Sequence, residues 1–177
     1  MYISSLWLSM ERSKRIVFVS HCLLNQNVRA FSTEKYPGMI KELMDIFAES
    51  GVGIVQLPCP QIEMNGGLDR KLKQKSAYDN KQYRKYCTNL SSDILKSIEK
   101  YLQKNYKVLG IIGVEMSSTC GVHQIENGTK HSPGKGILME ELEELMHKKN
   151  FQVPIIGVNL NNMYNSLEKI QSLLKYA

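Results

Sequence analysis

Short hydrophobic runs alternate along the chain with longer segments of helical periodicity. Four of these runs are continuous and rich in β-branched residues, which predicts strands that are buried on both faces. They span residues 16–20, 52–57, 107–114 and 153–158. Four longer segments place hydrophobic side chains along one face of a helix. They span residues 37–50, 79–105, 134–149 and 163–174.

This alternation of strand and helix predicts the fold class. We expect an α/β protein with a Rossmann-like open parallel sheet of about four or five strands and helices on both faces. Two stretches without periodicity, residues 58–76 and 115–133, are predicted to be long loops. Ligands of such sheets bind beyond the carboxyl ends of the strands, where both loops begin. We therefore expect the functional site at this edge of the sheet.

Length and composition narrow the class of protein. The chain has 177 residues, of which 42% are hydrophobic and 23% are charged, so we expect an N-terminal arm over residues 1–14 and a single domain over residues 15–177. No hydrophobic run approaches the roughly 20 residues of a membrane span, so no membrane association is expected. A basic cluster follows the first hydrophobic stretch, the reverse of a secretory signal, which predicts a cytoplasmic protein. The net charge of +6 favours an anionic ligand such as a nucleotide, or RNA.

Three of the four cysteines follow predicted strands. Cys22, Cys59 and Cys120 come after the first, second and third strand, whereas Cys87 lies within a predicted helix, where we expect a buried structural residue. A reducing compartment disfavours disulfides, and three gathered thiolates repel one another unless they bind a metal. These residues are compatible with an iron–sulfur cluster that has one open iron, or with zinc if His21 or His123 supplies a fourth ligand.

The segments around these three cysteines resemble the thiouracil desulfidase (TudS-like) family, and a divergent branch of it in particular. They read VSHCLLNQN, LPCP followed by a Gly-Gly pair, and SSTCG. The resemblance extends over nearly the whole chain. It implies a cytoplasmic enzyme that holds a [4Fe-4S] cluster on Cys22, Cys59 and Cys120. It also implies that sulfur is removed, without net redox, from a thiolated pyrimidine base or nucleotide, with the open iron polarising the carbon that water attacks.

The same resemblance indicates which residues handle protons. Ser117 matches a serine of the family, whereas Gln61 stands where the family usually has glutamate. An amide orients water but cannot accept a proton, so we expect Glu63 or Glu115 to take over that role. On this basis, we expect the substitution Gln61→Glu to raise the rate of sulfur removal.

Further polar residues near the three motifs are candidates for binding the substrate, and the basic ones among them suit a phosphate. They are His21, Asn25, Arg29, Arg70, Lys71, Ser118 and His123. The expected partner is a small thiolated nucleobase or nucleotide, with tRNA as an alternative. Two other functions stay open, namely a sulfurtransferase and a non-catalytic protein that binds a metal or a nucleotide. The amide of Gln61 favours the non-catalytic function.

Overall fold

The central feature of the protein is a four-stranded parallel sheet. The structure is a computed structural model that describes residues 11–127 and 130–176. Its strands are β1 (Arg15–Ser20), β2 (Gly53–Leu57), β3 (Lys107–Val114), β4 (Gln124–Asn127), β5 (Lys130–Pro133) and β6 (Ile155–Val158). The parallel sheet has the order β2-β1-β3-β6, while β4 and β5 form a separate antiparallel hairpin. The predicted open parallel α/β fold is therefore confirmed.

Helices connect the strands and cover the sheet. They are α1 (His21–Leu24), α2 (Lys41–Glu49), α3 (Pro60–Met64), α4 (Lys75–Tyr78), α5 (Lys81–Leu102), α6 (Ile137–Lys148) and α7 (Met163–Tyr176). A short 3-10 helix, Gln26–Val28, follows α1. Within the described part of the chain, no helix is both long enough and hydrophobic enough to cross a membrane.

The helices lie on both faces of the sheet, as predicted. Val17 of β1 is in register with Gly110 of β3, so both residues belong to one face. Leu173 of α7 packs against that face, because a Cβ added to Gly110 would lie 2.8 Å from the Cδ2 atom of Leu173. Phe18 points to the opposite face, where its ring meets Tyr101 of α5 edge to face with the centroids 6.0 Å apart.

The first long helix begins later than its hydrophobic pattern predicts. The pattern starts at Pro37, but α2 starts at Lys41. The intervening backbone is held by the loop that follows β1, because the amide of Gln26 donates to the carbonyl of Gly38 at 2.7 Å. The side-chain oxygen of Gln26 also accepts from the amide of Lys35 at 3.1 Å. These hydrogen bonds fix residues 35–38 as part of the functional edge.

Both stretches predicted as long loops contain regular structure. Helix α3 and the start of α4 lie in the first, and Pro60 occupies the first turn of α3, a position that proline favours. The β4–β5 hairpin lies in the second, where the dipeptide Asn127-Gly128 is a hairpin signal in the sequence. Residues 11–14 of the expected N-terminal arm are exposed and have no regular structure, and the rest of the arm lies outside the described residues.

Candidate functional site

Three cysteines come together at the carboxyl edge of the parallel sheet. Cys22 lies in α1 directly after β1, Cys59 immediately precedes α3 after β2, and Cys120 lies in the loop after β3. Because β1 is the neighbour of both β2 and β3, the three strand ends are adjacent. All three side chains line one pocket.

The pocket also has a polar lining. Its polar side chains include Arg29, Gln61, Arg70, Ser117, Ser118 and Glu126. The first five of these were predicted as site residues from the sequence. The pocket therefore combines thiols, two guanidinium groups, an amide, hydroxyls and one carboxylate.

The three thiols influence one another electrostatically. All are free. Burial raises the pKa of Cys22, the Arg29 guanidinium beside it opposes this rise, and Cys59 adds to it. Burial also raises the pKa of Cys120 well above its usual range, and Cys59 and Cys22 raise it further. Gathering three thiolates here is therefore unfavourable unless positive charge joins them.

The donor set determines which kind of metal group fits the pocket. Among residues 11–127 and 130–176, no three His, Cys, Asp or Glu side chains are arranged to hold one metal ion. A [4Fe-4S] cluster binds each cysteine on a different iron, so its thiolates lie further apart than the ligands of a single ion. Neither His21 nor His123 lines the pocket that the thiols share. With three thiols and no imidazole, the described lining of the pocket provides the all-thiol donor set that iron–sulfur clusters bind.

A largely buried hydrogen-bond network supports the pocket wall next to Cys59 and Cys120. The Oε1 atom of Gln61 accepts from Arg70, at 3.3 Å from Nε and 3.1 Å from Nη2. The Nε2 atom of Gln61 donates to the Oγ1 atom of Thr119 at 3.0 Å, and this hydroxyl lies 3.1 Å from that of Tyr83. Arg70 also donates from Nη1 to the carbonyl of Gly67 at 3.1 Å. The network fixes the Gln61 amide on both sides.

Two serines shape the loop that carries Cys120. The Oγ atom of Ser117 accepts from the amides of Thr119, at 3.3 Å, and Cys120, at 3.0 Å. Its own proton therefore stays available to a ligand in the pocket. Ser118 is buried and donates to the carbonyl of Lys73 at 2.9 Å, which joins this loop to the segment before α4.

Six of the predicted site residues lie outside the pocket lining, and four of them are Asn25, Glu63, Lys71 and His21. Asn25 caps the 3-10 helix, since its Oδ1 atom accepts from the amide of Asn27 at 3.1 Å. Glu63 and Lys71 are exposed, and His21 is partly buried, which lowers its pKa.

Glu115 and His123 also lie outside the pocket lining, and they contact each other instead. One oxygen of the buried Glu115 carboxylate accepts from the amides of His123, at 3.0 Å, and Gln124, at 2.9 Å. Its other oxygen is 2.8 Å from the Nδ1 atom of His123. The carboxylate therefore holds the start of the β4–β5 hairpin in place.

Glu126 contributes a carboxylate that was not predicted from the sequence. It lies on β4, is partly buried, and is the one carboxylate in the pocket lining over residues 11–127 and 130–176. Its position depends on β4, the strand that begins shortly after Cys120 and forms the first half of the β4–β5 hairpin. The Asn-Gly dipeptide directly after Glu126 is a hairpin signal and was the clue in the sequence to a strand here.

Cys87 is structural, as the sequence predicts. It is fully buried on α5 and is absent from the pocket lining. Burial, assisted by Glu141, raises its pKa to about 12. It is therefore a protonated thiol in the core at neutral pH.

Comparison with known proteins identifies relatives in sequence and in fold. The chain matches no known family model. It is 36% identical over 166 residues to the uncharacterised protein MJ0003 of Methanocaldococcus jannaschii, an alignment that covers 93% of this chain and 99% of that protein. The solved structure of the [4Fe-4S]-dependent thiouracil desulfidase TudS is similar with a TM-score of 0.51 and 18% identity, over 90% of this chain and 99% of that one. The chain therefore belongs to the same family as the M. jannaschii protein and has the fold of TudS.

Proposed function

We propose that the protein is an iron–sulfur-dependent desulfidase that acts on a thiolated pyrimidine base or nucleotide. The observation that carries the proposal is the meeting of three free thiols in one pocket, with polar groups around them. The fold shared with TudS supports the same conclusion. The reaction replaces sulfur by oxygen: water adds to the thiocarbonyl carbon, the carbon–sulfur bond breaks, and hydrosulfide and a proton leave. No electrons are gained or lost.

Three residues would hold the metal group and two would bind the substrate. Cys22, Cys59 and Cys120 are the ligands, and the bound [4Fe-4S] cluster supplies a Lewis acid at an open iron. Arg29 and Arg70 line the same pocket and bind an anionic part of the substrate, such as a phosphate. Arg70 is well suited to this role because it is only 7% exposed and its hydrogen-bond acceptors are all neutral.

Glu126 is the proton acceptor in this proposal. The attacking water must lose a proton, and the pocket lining offers no other carboxylate among the described residues. Gln61 is held by Arg70 and Thr119, so its amide forms a rigid part of the pocket lining and does not act as a base.

Ser117 positions the reacting group. Its oxygen is engaged by two backbone amides, which leaves its proton to donate to the substrate. The hydroxyl and the carboxylate of Glu126 line the same pocket, so one group donates a hydrogen bond while the other accepts a proton.

A small nucleobase or nucleotide is the proposed substrate, and tRNA is the alternative. We place the protein in the reducing cytoplasm, because a pocket of free thiols is stable there and a metal group on them is protected from oxidation.

The test is a reconstitution without oxygen. Protein loaded with ferrous iron and sulfide should develop the absorption of a cubane cluster and release hydrosulfide from 2-thiouracil, 4-thiouridine or its monophosphate, with one carbonyl product for each hydrosulfide. A loaded protein that is inactive on all three compounds would point to a binding function. Release that requires an added sulfur acceptor would point to a sulfurtransferase.

A further inference from the structure

Ser20 has a buried hydroxyl that lacks a hydrogen-bond partner among the described residues, at the end of the strand that leads to Cys22. It is the last residue of β1 and is only 2% exposed. Its Oγ atom has no hydrogen-bond partner in the described part of the chain. Buried polar groups in folded proteins are normally paired, so an orphaned hydroxyl indicates that a partner is missing.

The position of Ser20 identifies that partner. β1 lies between β2 and β3, so its last residue lies between the strand ends that lead to Cys59 and Cys120. Val19 of β1 is in register with Ile112 of β3, so the next residues, Ser20 and Gly113, share the other face of the sheet. The Cys120 loop covers this face, because a Cβ added to Gly113 would lie 3.2 Å from the carbonyl oxygen of Cys120. A neutral thiol is a weak acceptor, whereas an ionised sulfur accepts a strong hydrogen bond.

We propose that Ser20 donates its proton to the sulfur of Cys120 when that sulfur ligates the cluster. The inference rests on the proposed function, because it requires the three thiols to hold a metal group. Ser20 is then a positioning residue that acts through Cys120 and does not touch the substrate. Ligation turns the sulfur into the acceptor that the buried hydroxyl lacks in the described structure.

The hydrogen bond has two measurable consequences. Hydrogen bonds to the sulfurs of an iron–sulfur cluster favour its more negative, reduced state, so Ser20 raises the reduction potential. It also stabilises the Cys120 thiolate as a ligand, so it slows loss of the cluster. Outer hydrogen bonds of this kind orient ligands in metal sites generally.

The experiment compares Ser20→Ala and Ser20→Thr with a matched control. Ser91 on α5 is fully buried, its Oγ atom is also unpaired among the described residues, and it is absent from the pocket lining, so Ser91→Ala makes the same chemical change elsewhere. Each protein is reconstituted anaerobically with ferrous iron and sulfide. The reduction potential is measured by a dye-linked titration, and the rate of cluster loss is measured with an iron chelator.

Ser20→Ala should shift the potential to a more negative value and speed cluster loss by about tenfold, as expected for losing a hydrogen bond to a charged group. Ser20→Thr, which keeps the hydroxyl, should stay close to wild type, and so should Ser91→Ala. If Ser20→Ala has the wild-type potential and rate of loss, the inference is wrong while the proposed function stands. If Ser20→Ala and Ser91→Ala change the potential and the rate of cluster loss equally, altered packing explains the effect and the inference is also wrong. If wild type takes up no cluster, the proposed function itself has failed.

Discussion

The side-chain carbonyl of Gln61 accepts two hydrogen bonds from the buried guanidinium of Arg70. An amide holds this cation in place but does not neutralise it. No carboxylate forms an ion pair with Arg70 among residues 11–127 and 130–176. The amide at position 61 therefore keeps one full positive charge at the pocket.

This contact changes the expected effect of glutamate at position 61. In Gln61→Glu the new carboxylate meets Arg70, which favours its ionised form and makes it a poor proton acceptor. We predict that hydrosulfide release does not exceed the wild-type rate. The KM for 4-thiouridine monophosphate should rise about tenfold, the effect of losing one charged hydrogen bond, while the KM for neutral 2-thiouracil stays nearly constant.

Steady-state kinetics on the two substrates provide the measurement. Gln61→Met, which removes the amide without adding charge, separates loss of support for Arg70 from its neutralisation. A large rise in turnover by Gln61→Glu would show that the carboxylate acts as a base despite its neighbour.

Removing the carboxylate of Glu126 tests the proposed proton acceptor. Glu126→Gln should lower hydrosulfide release about 10²–10⁴-fold, the usual contribution of a general base. Iron content should be unchanged, because Glu126 is not a proposed ligand. The matched control is Glu63→Gln, which removes an exposed carboxylate outside the pocket lining. Equal losses in the two variants would argue against a specific role of Glu126.

Cluster uptake should depend on three of the four cysteines. Replacing Cys22, Cys59 or Cys120 with serine should each largely abolish iron binding, because too few thiolates remain to hold the cluster. Cys87→Ala should load normally, since that thiol lies in the core outside the pocket lining. Iron and sulfide analysis after anaerobic reconstitution gives the answer. Normal loading of any of the three serine variants would show that the ligand assignment is wrong.

Glu115 should contribute to stability rather than to proton transfer. In Glu115→Ala the backbone amides of His123 and Gln124 lose the carboxylate oxygen that accepts from both of them. The free energy of unfolding in urea should fall by about 1–3 kcal/mol, the usual effect of an unpaired buried group. The KM for 4-thiouridine monophosphate should change little. If the variant keeps the wild-type stability but no longer releases hydrosulfide, Glu115 instead takes part in the reaction.

The strands and long helices could be predicted because their hydrophobic patterns are continuous. The order of the strands in the sheet could not be predicted, because each strand appears in the sequence as an independent run of hydrophobic residues. The meeting of Cys22, Cys59 and Cys120 depends on β1 lying between β2 and β3, and sequence spacing alone does not contain that order.

Residues that look alike in the sequence can also differ in burial, which the sequence alone does not reveal. Arg70 and Lys71 are adjacent basic residues in one segment, yet Arg70 is buried in the pocket wall and Lys71 is exposed. Glu126 was overlooked because its segment was predicted to be a loop, whereas the structure makes it a strand of the β4–β5 hairpin.

The strand order has a consequence for biosynthesis. Each proposed ligand belongs to a different strand and its following loop, so no contiguous peptide of one strand and one loop presents more than one of the three thiols. The ribosome must pass Cys120, and β3 must pair with β1, before any iron donor finds a complete set of ligands. The proposed function therefore implies an ordered maturation, in which the backbone folds first and the iron–sulfur cluster is added last.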